Sequence, residues 1–285
     1  MAGWPAGRPA RGPAAAPVAG GPAETTVVGV LGHTDSKFAA DDGSADPAAA
    51  AALAAFAAGT GSEHAALTAL AGVRLLVPVV AAEVPGGAGV PGGAGVPDGP
   101  APAVPPGGNG GPRSCHVPGG EKSSEMSIPT LIGQDGRAAV PAFTSLAAMH
   151  AWQPGARPVP ADAARVWQAA AADGAAVVLD IAGPVPLAVD GARLAALAGG
   201  QPVPRPEQDP DVQAVISAVA AAHPQIAGVR LAGDPGGEGP DLTIELTLAP
   251  GAPSGTAEQL GAGVLSRLGG RLRRGLAVTV APPRT

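Results

Sequence analysis

The segment Val84–Gly120 does most to limit what this chain can fold into. It is almost entirely Gly, Pro, Ala and Val and repeats GGAGVP at Gly86–Pro91 and Gly92–Pro97. Such a stretch cannot bury enough apolar surface to offset the cost of ordering it. A flexible insert between two strands is therefore expected here, and any core must be assembled from the flanking sequence. Glycine (44) and proline (34) are abundant across the 285 residues, but their excess is local, at this insert and at the N-terminus. The remainder carries enough Val, Leu, Ile and Ala for packed interiors. Aromatics make up only 2%, with no Tyr, so stacking platforms for bases or sugars are not expected.

Charge and cysteine content exclude several classes of partner. A net charge of −6 and a pI near 5.3 argue against nucleic acid and against an anionic membrane surface. The lone Cys115 rules out an intramolecular disulfide and suits a reducing cytoplasm. Trp4, Arg8 and Arg11 lie in a segment broken by Pro and Gly, which makes a poor signal peptide. No run approaches the roughly 18 consecutive apolar residues of a membrane span. A cytoplasmic protein is the expectation.

Periodicity and caps divide the chain further. Residues 1–46 read as a disordered leader. Asp46-Pro47 opens an Ala-rich helix through Leu53 and Phe56, stopped at Gly59. Ser62 caps a second helix with Glu63 in its first turn, and Arg74–Ala81 follows as a buried strand that Pro78 should place at an edge or bulge. After the insert comes EKSSEMSIPTLIGQDGRAAVPAFTS, Glu121–Ser145, read as two strands joined by a tight turn at Gly133–Gly136. Thr144/Ser145 then open a short helix to Trp152, and Pro154–Pro160 is read as a link. A helix over Asp162–Asp173, strands at Val177–Ile181 and Val185–Val189, and a last helix through Leu194 and Leu197 complete a domain over 47–199.

A Pro-rich linker at 200–208 leads to a second domain at 209–282. Asp209-Pro210 starts a helix with Val212, Val215, Ile216 and Val219 on one face. Leu242, Ile244, Leu246 and Leu248 alternate with polar residues, as in a sheet with one wet face. Ser254 is expected to cap the next helix, and Leu276, Val278 and Val280 to close the sheet. The fold class is α+β: a mixed N-terminal α/β domain with a central hairpin, plus a smaller α-β-β-α-β sandwich with an antiparallel sheet.

The block EKSSEM…PTL…GRAAVPAFTSL, followed by a Trp, RPVP and VVLDIAGPVP, resembles the SseB (enhanced serine sensitivity protein B) family in its actinobacterial form. The resemblance covers about residues 47–199, and the segment after them is similar to the C-terminal domain often attached. It implies a cytoplasmic α+β protein with no established catalytic activity, from a family named for a growth phenotype. The long insert departs from a compact version of the family.

Motifs for chemistry are sparse. Gly87-Ala-Gly89-Val-Pro-Gly92 spells G-x-G-x-x-G after an apolar strand, but Gly92 runs into another repeat rather than opening a helix for a pyrophosphate. No G-x-S-x-G elbow, Walker loop or H-E-x-x-H occurs. Cys115-His116 has no second pair at zinc spacing. No cofactor or metal is expected. The four arginines Arg267, Arg271, Arg273 and Arg274 are read as cations complementing the end of the last helix.

The strongest polar candidates are Glu121, Lys122, Ser123 and Glu125, entering a strand expected beside the one that carries Phe143, Thr144 and Ser145. Lys122 and Lys37 are the only lysines. Asp180, at a strand end, is a further candidate. Together these residues form the expected contact surface for an unidentified protein partner, because exposed loop ends commonly carry recognition. The ordinary account is a surface Lys–Glu pair, a capping serine and an acid that accepts a turn hydrogen bond. The rival expectation is small-molecule sensing, of an amino acid, in a pocket between hairpin and helix.

Overall fold

The structure is a computed structural model that describes residues 38–83, 124–133, 136–183, 186–234 and 239–281. It divides into one unit of Met1–Val80 with Ser127–Thr285, and a smaller unit, Ala81–Met126. The insert and Glu121–Ser123 lie outside the described residues, as do positions 134 and 135 of the expected turn.

Two capped helices open the larger unit. In α1 (Pro47–Ala58) the Asp46 carboxylate accepts from the N–H groups of Ala48 and Ala49, and Gly59 closes the helix in the left-handed region at φ 73°. Ser62 caps α2 (Glu63–Leu70) by accepting from Ala65 N–H. Both ends follow from ordinary capping chemistry, and both helices stand where the sequence puts them.

β1 (Arg74–Glu83) is the middle strand of the order β2-β1-β5, with β2 at Ser124–Ser127 and β5 at Arg157–Asp162. The expected link at Pro154–Pro160 is thus partly an edge strand. Pro78 is neither at a sheet edge nor at a bulge. Ala163 N–H donates to Val73 O at 2.9 Å, which sets the antiparallel alternation. Pro78, Pro158 and Pro160 then all fall at positions whose N–H points away from the β1–β5 ladder. Their missing donors cost that ladder nothing, and on β5 they deny an outside strand its partners.

The second sheet runs β3-β4-β6-β7, with β3 at Leu131–Ile132, β4 at Ala138–Ala142, β6 at Ala176–Leu179 and β7 at Leu187–Val189. β3 and β4 form the expected hairpin, closed by Gly133 N–H donating to Arg137 O and Gly136 N–H to Gly133 O. β4 and β6 are parallel, joined through α3 (Leu146–Trp152), β5 and α4 (Ala163–Ala172). Glu125, expected on a strand beside the one carrying Phe143, lies on β2, whose neighbour in the sheet order is β1.

The principal core gathers Phe56, Leu67, Leu70, Leu75 and Trp167, all under 2% exposed, with valines of β4, β6 and β7. At about 1.5–3 kcal/mol for each large apolar side chain buried, a nearly aliphatic interior suffices. Leu194 and Leu197 of α5 (Gly191–Ala198) join it. So does Val203 from the expected linker, which is therefore packed rather than a free tether.

A separate core lies under α6 (Pro210–Ala221) and α7 (Thr256–Leu268), which cover one face of the sheet β10-β9-β8. Here β8 is Ile226–Ala232, β9 Leu242–Leu248 and β10 Leu276–Val280. Leu242, Ile244 and Leu246 are fully buried while Thr243, Glu245 and Thr247 are not, as the alternation requires. β8 and β9 are antiparallel, but β10 runs parallel to β9, because α7 carries the chain back across the sheet. Gly255 in the left-handed region, not Ser254, occupies the N-cap of α7. Among the described residues no helix is long and apolar enough to cross a membrane.

Candidate functional site

The carboxyl ends of the adjacent parallel strands β4 and β6 bring together Phe143, Thr144, Ser145 and Asp180. Ala142 and Leu179 are register partners, so the next residues on each strand emerge side by side. Thr144 donates to Asp180 twice, from its N–H to Oδ1 at 2.9 Å and from Oγ1 to Oδ2 at 2.7 Å. The sequence suggested that Asp180 accepts a hydrogen bond in its own turn. Its carboxylate instead ties the two strand ends together, and it is the backbone O that accepts from Gly183 N–H. Asp180 is the one non-glycine described residue at positive φ, 46°, a conformation aspartate tolerates better than most.

The rest of the expected surface is internal. Phe143 is completely buried, its ring centroid 5.5 Å from that of Trp152, and it packs with Leu76, Met149 and Ala156. Its backbone exchanges two hydrogen bonds with Leu76 of β1, which fixes it at a junction between sheets. Thr144 is 8% exposed, and its carbonyl accepts from Arg74 Nη1 at 3.0 Å. Arg74 in turn holds Asp41, Nε to Oδ2 at 2.6 Å. Ser145 caps α3 by accepting from Ala148 N–H, as expected. Phe143 and Thr144 are therefore framework residues, not contact residues. Glu121, Lys122 and Ser123 lie outside the described residues, and for Glu125 only the strand is described.

Burial pushes the Asp180 carboxyl above its ordinary value of 3.8, outweighing the two Thr144 hydrogen bonds. With a folded-state pKa above the unfolded one, the native state binds more protons across that window. Stability then falls as pH rises through it. Asp180→Asn removes this uptake and keeps the shape. The expected result is that the parent gains melting temperature relative to Asp180→Asn between neutral pH and about pH 4, measured by paired thermal melts.

A second polar constellation was not anticipated. Buried Glu63 accepts from Arg193 Nη1 through Oε1 at 2.5 Å and from Arg271 Nε through Oε2 at 2.9 Å. Arg271 continues to Asp209, and Arg193 to Asp190, which also holds Arg137 at 2.7 Å. Six alternating charges thus run Arg137–Asp190–Arg193–Glu63–Arg271–Asp209. Burial raises the Asp190 carboxyl, but Arg193 and Arg137 outweigh it and hold the pKa below the ordinary value. Burial likewise lowers Arg271, and Glu63 and Asp209 override it, raising the pKa. Close by, Asp211 of α6 accepts from Ala192 N–H at 2.8 Å and so caps α5 from outside. Gly191, at φ 52°, makes room for it; a Cβ there would collide with that carboxylate.

The expected arginine cluster serves contacts rather than the helix dipole. Only Arg267 lies in the last turn of α7. Arg271 meets Glu63, Arg274 holds Asp241 at 2.9 Å, and the Arg273 guanidinium lies 5.5 Å from the Phe56 ring centroid. Local sequence carries no signal for the first of these, since Glu63 and Arg271 are 208 residues apart. Among the described residues no group of three or more His, Cys, Asp and Glu is placed to hold a metal ion.

Fold and site together define an α+β protein with two principal hydrophobic cores, a polar clamp across the carboxyl ends of two parallel strands, and an ion chain centred on buried Glu63. Compared with family models, residues 50–196 match the SseB protein N-terminal domain. That match covers more than half of the chain, which belongs to the SseB family. No curated protein and no solved structure matches it.

Proposed function

We propose that this SseB family member is a non-enzymatic, cytoplasmic binding module that contacts a protein partner through the β3–β4 hairpin. The observation that carries this reading is Ile132, 59% exposed on a two-residue edge strand. It is the most exposed large apolar side chain among the described residues, and an edge strand offers unpaired backbone groups beside it. The polar groups at the opposite ends of β4 and β6 are engaged internally. Both Asp180 oxygens are taken by Thr144, and Ser145 is used as a cap.

Ile132→Glu tests the surface without disturbing a core. The expected outcome of a pull-down from native lysate is a partner held by the parent and lost by Ile132→Glu, with both proteins melting alike. Equal capture by the two would overturn the hairpin assignment.

Small-molecule sensing is the second reading. A hollow of about 270 Å³ lies where the hairpin meets α4 and α5, bordered by Arg137, Ala138, Gly174, Asp190 and Leu194. It is slightly smaller than usual ligand pockets of roughly 300–1,000 Å³, and its two charged groups are already paired with each other. Serine or another amino acid that raised the melting temperature of the parent would favour this reading.

A further inference from the structure

Among the described residues no strand pairs with the outer edge of β8 in the C-terminal sheet. β8 borders the order β10-β9-β8 and presents seven residues, whereas in the other two sheets the edge strands β3 and β7 are two and three residues long and β5 carries its prolines. An open edge of that length is a template for pairing with another chain unless something covers it.

What lies beside it is a hollow of about 400 Å³ between α6 and β8. Its apolar lining is Ile216, Val229 and Leu231, with Gln213 and Ser217 on the helix side. Val229 is opposite Leu246 in the register, so both point to the helix-covered face of the sheet. Leu246 is fully buried there, yet Val229 is 38% exposed. The helix layer therefore stops short of the edge strand, leaving a slot with the strand edge along it.

The charge at this slot is unbalanced. Arg230 is turned to the polar face, where its Nε meets Glu245 Oε2 at 2.6 Å. Glu207 also lines the hollow, and its carboxylate lies against Gly233, one residue beyond β8. Glu207 makes no ion pair among the described residues. One end of the open edge thus carries a carboxylate outside any ion pair among the described residues.

We infer that β8 accepts an extended peptide of a partner protein as an added strand, one apolar side chain filling the slot and a Lys or Arg meeting Glu207. Backbone hydrogen bonds along the edge supply affinity, while the slot and Glu207 select an apolar and a basic residue on the same face of the added strand, an even number of positions apart. The site is separate from the hairpin surface and stands whether or not the hairpin binds anything.

The test uses the full chain and a fluorescent octapeptide with valine and lysine on one face and threonine at the positions between them. A glutamate-for-lysine version and a version with N-methylated backbone amides are the controls. The expected result is saturable binding of the lysine peptide by fluorescence anisotropy, weakened at least about tenfold in both controls. Ser217→Trp, which fills the slot from an exposed position on α6, loses binding to the same extent. Glu207→Gln weakens it severalfold at low salt, and less at high salt. No binding to the parent, or equal binding to parent and Ser217→Trp, overturns the proposal. Loss in Ile132→Glu with retention in Ser217→Trp moves the peptide to the hairpin and also overturns it. A parent that sediments as a dimer, split by Ser217→Trp, assigns the edge to a second copy of the chain and overturns it too.

Discussion

Replacing Glu63 by alanine is expected to destabilise the protein by about 3–5 kcal/mol, the usual consequence of breaking a buried ion pair from one side. Its carboxylate is 6% exposed and lies between two guanidiniums, of Arg193 at 5% and Arg271 at 18%. Removing it leaves both cations out of water with one acid each, Asp190 and Asp209. Arg271→Ala should cost less, because Glu63 keeps Arg193 and Asp209 keeps the Asp211 N–H. The double variant should cost less than the sum of the two, with a coupling of roughly 0.5–3 kcal/mol. Urea melts of the four proteins measure this. As an internal contrast, Arg230→Ala breaks a pair whose partners are 79% and 35% exposed, and should change stability by only about 0–1 kcal/mol. If Glu63→Ala melted like Arg230→Ala, the ion chain would have no structural weight.

Phe143→Ala is the other large effect, about 3–5 kcal/mol from lost burial and an unfilled cavity. Phe143 is 0% exposed and packs against Trp152, Leu76 and Met149 where β1 meets the end of β4. Urea titration gives the stability, and the near-ultraviolet signal of Trp152 should weaken together with it. A contact residue on the surface would instead change stability by about ±0.5 kcal/mol. The same measurement therefore decides between framework and surface at this position, and any binding assay with a Phe143 variant has to be read against it.

Much of the fold was legible because its signals are local. Asp46-Pro47, Ser62, Ser145 and Asp209 mark helix starts through a side-chain acceptor three or fewer residues from the N–H it satisfies. The alternation Leu242–Leu248 encodes one buried and one wet face with no knowledge of the partner strand. The edge strand at Arg157–Asp162 was hidden by its prolines, which usually speak against a ladder. Only the β1 register shows that they occupy positions where no donor is needed. Ser254 next to Gly255 was a similar trap, since the backbone at Gly255, not a hydroxyl, starts α7.

The candidate site was legible in its residues and illegible in its roles. Thr144, Ser145 and Asp180 do meet at one place, but a strand-end acid looks the same in sequence whether it faces solvent or a neighbouring strand. The parallel pairing of β4 and β6 decides the matter by placing Thr144 against Asp180. Phe143 gave no hint of its burial, because its covering residues Leu76 and Trp152 come from elements on either side of it in the chain.

By itself the sequence determined the family resemblance, the α+β class, the capped helices, the β3–β4 hairpin and the aliphatic character of the cores. The caps, the hairpin and the apolar patterning are set by residues within a few positions of one another. Tertiary structure alone decided that β10 runs parallel to β9, that Val203 is anchored in the first core, and that Arg271 reaches Glu63 across 208 residues. Charge pairing and burial depend on distance through space. A chain that returns on itself sets that distance independently of separation along the sequence.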